Sequence, residues 1–140
     1  MCGILMPTDA RSEMTQKINL SFEQIARWVI SGAWIFHGLI PKLIHIAPAE
    51  WYLSSQFGFN KELTYWMITF AGIVEVSFGL LFFIFYKNRW VNILNMAGLV
   101  ALIIMVAFLD WHYLFGAFNP ITTNIPLIVL SLYLLNLDQK

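Results

Sequence analysis

The sequence predicts an all-α membrane protein: a four-transmembrane-helix bundle with both termini cytoplasmic and a short interfacial helix in the first outer loop. Three observations carry this expectation. Of 140 residues, 59% are hydrophobic and only 11% charged, where a soluble domain has roughly a quarter charged. The mean hydropathy is +0.70. The apolar residues gather into span-length stretches, and one of them, residues 64–86, is long enough at ~1.5 Å rise per residue to cross a hydrocarbon core of ~30 Å.

That stretch contains a single charge, Glu75. An ionised carboxylate at bilayer depth costs at least ~2.5 kcal/mol, so such a residue faces the interior of a bundle and finds a partner there. Ala71, Gly72 and Gly79 share its face and are small enough to let another helix approach. Phe70, Leu81, Phe83 and Phe85 cover much of the rest. Glu75 is therefore expected to point inward.

Composition also bounds the function. A chain of 140 residues that is mostly membrane span forms one domain, without room for a separate soluble catalytic domain. Zero net charge argues against nucleic acid as a partner. The one cysteine, Cys2, gives neither an internal disulfide nor a CxxC pair, so a thiol–disulfide mechanism run by this chain alone is not expected.

Residues 1–20 are polar and mixed in charge (Asp9, Arg11, Glu13, Lys17) and lack the basic start and apolar core of a cleaved signal peptide. They are expected to form a cytoplasmic tail, with Met6 and Met14 as further candidate starts, ahead of a transmembrane domain over 21–140. The first span is expected from about Phe22 to Ile40, with Ser21 as N-cap, Glu23 in the first turn and a stop or kink at Gly38 and Pro41. The loop from Pro41 to Leu63 carries a short surface helix beginning at Pro48-Ala49-Glu50-Trp51, with Trp51 and Tyr52 at headgroup level. The Glu75 span follows, then the polar turn Lys87-Asn88-Arg89. A third span runs from about Val91 to Phe115. The fourth runs from about Pro120 to Leu137, with Asn119 and Pro120 suited to N-cap and N1. Pro126 leaves a backbone carbonyl unpaired, which Thr122 or Thr123 could satisfy.

Arg11, Lys17, Arg27, Lys87, Arg89 and Lys140 fall on the side of the termini, with Lys42 and Lys61 opposite. The positive-inside rule then puts both termini in the cytoplasm. Trp28, Tyr86 and Trp90 form one aromatic belt, and Trp51, Tyr65, Trp66, Trp111 and Tyr113 the other. In this topology His37, Asp110, Asn119, Thr122 and Asn124 cluster near the outer ends of their helices, and Glu75 lies roughly 16 Å into its own. The expected result is a polar funnel opening outward with a carboxylate at its floor. The inner half offers Asn92, Asn95 and Ser31 between apolar residues.

Three motifs, Gly38-x-x-Pro41-Lys42, Glu75-x-x-x-Gly79 and the run Phe118-Asn119-Pro120-Ile121-Thr122-Thr123-Asn124-Ile125-Pro126, resemble the DoxX-like family of small four-helix bacterial membrane proteins. The resemblance extends from about Ile25 to Leu135 in order and spacing. The matching positions are Gly38, Pro41, Lys42, Glu75, Gly79, Pro120, Thr122, Asn124 and Pro126. Thr123 departs from the pattern, which often has a lysine beside the asparagine. The resemblance implies a multi-pass protein of the bacterial inner membrane. It also implies association with redox chemistry, since relatives are linked to a thiosulfate:quinone oxidoreductase and to membrane-associated oxidative-stress complexes, and some are fused to a nucleotide-binding dehydrogenase-like domain.

On this basis the chain is expected to be the membrane subunit of a quinone-linked redox system, binding a quinone or other small hydrophobic molecule in the funnel. Electrons would come from a partner redox protein. Glu75, His37 and Asp110 are the candidate proton-handling residues; Lys42, Asn119, Thr122 and Asn124 are the candidate ligand-binding residues. Each has a plainer alternative. Glu75 could be a neutral acid that only joins helices, His37 a helix-end histidine bonded to backbone, and Asp110 and His112 a solvated interfacial pair. Lys42 could neutralise Glu75 or Asp110, but at a membrane boundary it is expected rather to extend to water. No HxxxH or ExxH spacing is present, so a metal is not expected. The alternative function is a non-enzymatic scaffold or assembly factor, whether as a homo-oligomer or beside a partner chain, with the glycine faces packed against the partner's helices. A transporter would require an oligomer.

Overall fold

The computed structural model describes residues 8–116 and 119–137, with side chains from Phe22 onward. Expectations for Cys2, Met6, Phe118 and Lys140 lie outside the described residues, as do those for the side chains of Asp9, Arg11, Glu13, Met14 and Lys17. Among the described residues every regular element is helical: α1 (Thr8–Gly38), a π-helical turn (Leu39–Ile44), α2 (Pro48–Ser55), α3 (Lys61–Phe85), α4 (Arg89–Asp110), a 3-10 turn (Trp111–Phe115) and α5 (Pro120–Leu137). By length and composition α3, α4 with its 3-10 extension, and α5 can each cross a membrane. A fourth span results if residues 22–44 and α2 are counted together, two pieces bent by 84°.

Local chemistry explains the helix starts. The side chain of Asn60 accepts from the Leu63 amide at 2.8 Å, and that of Asn88 from the Trp90 amide at 2.8 Å. Asn119 accepts from the Thr122 amide at 2.9 Å, directly before a proline at the first helical position of α5. Each cap satisfies a backbone donor that the first turn leaves without a partner. No helix begins at Ser21, whose side chain lies outside the described residues: α1 begins at Thr8 and carries the polar stretch into the apolar one as a continuous helix. The hydroxyls of Thr122 and Thr123 donate back to the Asn119 carbonyl at 3.1 and 3.2 Å, so they reinforce the start of α5 instead of serving the carbonyl freed by Pro126.

Helices α1 and α3 meet along a seam of glycines. A Cβ built on Gly72 would lie 2.9 Å from the Gly38 carbonyl oxygen and 2.9 Å from Lys42 Cβ, and one on Gly79 would lie 3.0 Å from the Ser31 carbonyl oxygen. Backbones this close are possible only with small residues at the contact. α4 packs on α5, and α1 touches both pairs around Ala26, Ile30, Phe82, Leu99, Leu127 and Leu134.

A polar tie crosses this apolar centre. Asn95, fully buried, accepts from Trp34 Nε1 at 2.6 Å and donates to Ser131 Oγ at 2.6 Å, linking α1, α4 and α5. Asn92 donates to the Tyr86 carbonyl at 2.6 Å and fastens the α3–α4 turn. Outward-facing side chains are large and apolar, with Phe108 85% and Trp90 75% exposed, a surface suited to hydrocarbon. Asn95→Leu removes two interhelical hydrogen bonds at once. At about 0.6–1.7 kcal/mol per bond in membrane helices, the variant is expected to lose about 1–3 kcal/mol, read as an earlier midpoint in a detergent unfolding titration. An unchanged midpoint would show that the tie contributes nothing to stability.

Candidate functional site

Pro41 supplies no N–H to the helix, and at this point the backbone widens. Of the stop or kink expected at Gly38 and Pro41, there is no stop: the chain continues as a π-helical turn through Ile44. In this turn the His45 amide donates to the Ile40 carbonyl at 3.1 Å, five residues back. The extra turn carries Lys42 round to face α3. Gly72 opposite lets the lysine stem lie against the α3 backbone. Lys42 is consequently only 9% exposed, and the expectation that it extends to water is corrected.

The Lys42 ammonium pairs with Glu75 Oε1. Glu75 is 7% exposed and points inward, as its position among small residues requires. A second carboxylate, Glu50 on α2, approaches the same ammonium, with Oε1 at 3.7 Å from Nζ. One cation thus serves two acids. The other oxygen of Glu75, Oε2, is buried without a hydrogen-bond partner.

These groups line a cavity of about 470 Å³ bounded by α1, α2, α3, α4 and α5. Lys42, Glu50, Glu75, His37, Thr123 and Asn124 contribute polar groups to its wall, with Asn119 at the α5 start. Most of the lining is apolar, including Trp34, Ile68, Leu99, Val106 and Leu127. Asn124 is buried and donates to the Leu99 carbonyl at 3.4 Å. The volume lies within the range of about 300–1,000 Å³ usual for small-molecule sites, which are mostly apolar with a few placed polar groups.

Of the residues singled out in the sequence, the fold brings together Glu75, His37, Lys42, Asn119 and Asn124 around one cavity. Asp110 and Thr122 are not on its wall. Asp110 lies at the end of α4, where it accepts from Tyr52 Oη at 3.2 Å and from the His112 amide at 3.1 Å. With the Tyr52–Tyr113 stack at 5.6 Å, this contact docks α2 against the end of α4. Thr122 is taken up by the α5 cap. Glu50 was not evident as a site residue in the sequence. A glutamate in a first helical turn reads as a helix-dipole residue, and the only hint was that Lys42 had more than one acid within loop reach.

A model of the DoxX-like family matches residues 31–132, from the middle of α1 almost to the end of α5. The chain belongs to the DoxX-like family. No curated protein and no solved structure matches it. In this DoxX-like protein the matched segment contains every residue of the cavity wall, including the π-helical turn and Glu75. Family membership and the apolar helices together make it a multi-pass membrane protein.

Proposed function

We propose that this DoxX-like protein is the membrane subunit of a redox system in the bacterial inner membrane, and that its cavity binds a small hydrophobic molecule of the quinone class. In this reading residues 22–44, α3, α4 and α5 are the four spans. Both termini are cytoplasmic by the distribution of Lys and Arg, α2 lies at the outer interface, and the cavity opens from the outer half of the bundle.

The observation that carries the proposal is the cavity itself: about 470 Å³, mostly apolar, with a buried carboxylate oxygen that no protein group satisfies. A buried acceptor left unpaired costs about 1–3 kcal/mol or more, and a ligand that supplies a hydrogen bond offsets this. Apolar walls fit a ring and its tail, and Glu75 beside Lys42 fits a polar head. A quinone, when bound, supplies two-electron chemistry coupled to two protons. The chain's own residues hold and move the protons. Glu75 exchanges one with the ligand oxygen through Oε2. Lys42 stabilises the carboxylate left behind, and His37 on the cavity wall relays between Glu75 and the cavity mouth. Asn124 and Asn119 border the ligand on the α5 side. Asp110 serves from outside by holding α2, and with it Glu50, through Tyr52. Electrons come from a partner redox protein.

The scaffold reading is weaker because Gly38, Gly72 and Gly79, the faces it would offer a partner, are filled within the chain. Mass spectrometry of the organic extract from gently purified protein tests the choice. A quinone or related lipid enriched with wild type and lost with Glu75→Gln, at equal folded yield, is the expected result. The absence of any retained molecule from both forms would remove the ligand reading and restore the scaffold.

A further inference from the structure

The cavity wall is unbalanced in hydrogen-bonding capacity, and the imbalance selects among ligand heads. Each of its ammonium, indole, amide and Thr123 donors makes at least one contact within the protein. Lys42 is paired with Glu75 and Glu50, and Trp34 Nε1 donates to Asn95. Asn119 Nδ2 donates to the Gly116 carbonyl at 2.7 Å, and Asn124 Nδ2 to the Leu99 carbonyl. The Thr123 hydroxyl turns back to the carbonyls of Asn119 and Pro120. Against these stands an uncommitted acceptor, the buried Glu75 Oε2. Formal charge points the same way, since two carboxylates and one ammonium border the cavity. The imidazole of His37, in its neutral form, and the hydroxyls of Ser54 and Tyr113, also on the wall, can either donate or accept.

We infer that the cavity selects amphipathic molecules whose head donates hydrogen bonds, the hydroxyl-bearing reduced form of a quinone-class molecule over its dione, and that it rejects oxyanions. This rests on the proposed reading of the cavity as a ligand site and specifies which form occupies it. A hydroxyl gives Glu75 Oε2 the donor it lacks, a charge-assisted contact of the stronger kind. A dione offers only acceptors and leaves Glu75 Oε2 without the donor it lacks. An oxyanion would add a negative charge beside a cation already shared between two acids. Thr123 is the wall position at which this balance can be reversed, because a lysine there adds a second cation.

The test is isothermal titration calorimetry on the full chain in lipid nanodiscs, using three probes with the same tail: decylhydroquinone kept reduced under anaerobic conditions, the matching decylbenzoquinone, and decyl sulfate. The common tail keeps the apolar contact the same, and partition into the bilayer, which differs with the head, is measured for each probe on empty nanodiscs and corrected for. Decylhydroquinone is expected to bind at least about tenfold more tightly than the dione, the scale of one hydrogen bond to a charged group, and decyl sulfate not to bind above the empty-nanodisc background. Thr123→Lys is expected to abolish the preference and admit decyl sulfate. If wild type binds the dione or the sulfate as tightly as the hydroquinone, the inference is overturned while the ligand site stands. If none of the three binds, the ligand-site reading itself is overturned.

Discussion

Glu75→Leu is expected to cost about 3–5 kcal/mol of folding stability, because it leaves a buried ammonium without its main partner. The Lys42 side chain is only 10% exposed, so its charge cannot recover by hydration without unwinding the π-helical turn. Glu50 does not replace Glu75. It stands 3.7 Å from Nζ and is itself 30% exposed, where attraction is weakened by solvent. Glu75→Gln keeps an oxygen for the lysine but not the opposite charge, so its loss is expected to be smaller than that of leucine. The double variant Lys42→Met/Glu75→Leu is expected to recover most of the stability, since an apolar pair of similar volume avoids the desolvation that a buried ion pair must overcome. Reversible unfolding in mixed detergent micelles, followed by circular dichroism, gives all three values. A Glu75→Leu variant as stable as wild type, or a double variant less stable than the single, would show that the pair does not hold the site together.

Why the pair was only half legible in the sequence has a physical explanation. Glu75 could be placed inward from its own helix alone, because a carboxylate in an apolar span flanked by Gly72 and Gly79 has one face on which it can be accommodated. Lys42 could be offered to Glu75 or Asp110 only as the less favoured alternative. Gly38 and Pro41 read as a helix stop or kink, after which a lysine is carried to the interface. What turns it inward is the π-helical turn, a change of one residue in hydrogen-bond register that side-chain periodicity does not encode. Glu50 was hidden for a similar reason: it lies on a short helix whose direction depends on the 84° bend before it and on the Tyr52–Asp110 contact. By contrast the start of α5 follows from Asn119-Pro120, and its observed bounds, Pro120–Leu137, are those the pattern predicts. Local chemistry fixes caps and spans. The meeting of Lys42, Glu50 and Glu75 is set by how three helices pack, and Asp110, grouped with them by depth alone, proves to sit outside the cavity wall.

Gly38→Ala is the second substitution expected to act strongly, and two opposing effects must be weighed. Alanine favours a helix over glycine by up to about 1 kcal/mol. Against this, the new Cβ would come within 2.5 Å of the Gly72 carbonyl oxygen and 2.9 Å of Glu75 Cβ. A backbone oxygen cannot swing aside, so α1 and α3 must separate, and overpacking of this kind costs about 1–3 kcal/mol, occasionally more. The steric effect is expected to win, with a net loss of up to about 2 kcal/mol after the full propensity gain is subtracted. The separation also draws Lys42 away from Glu75, since Gly38 is the last residue before the π-helical turn that carries the lysine. Retention of any co-purifying ligand should therefore fall together with stability. Gly32→Ala is the internal comparison: nothing lies within 4 Å of a Cβ built there, so only the helix-propensity gain operates, and stability is expected to hold or rise slightly. Parallel unfolding titrations of the two variants decide the matter. Equal midpoints would mean that the glycine seam is not what brings α1 and α3 together, and the placing of Lys42 against Glu75 would need another cause.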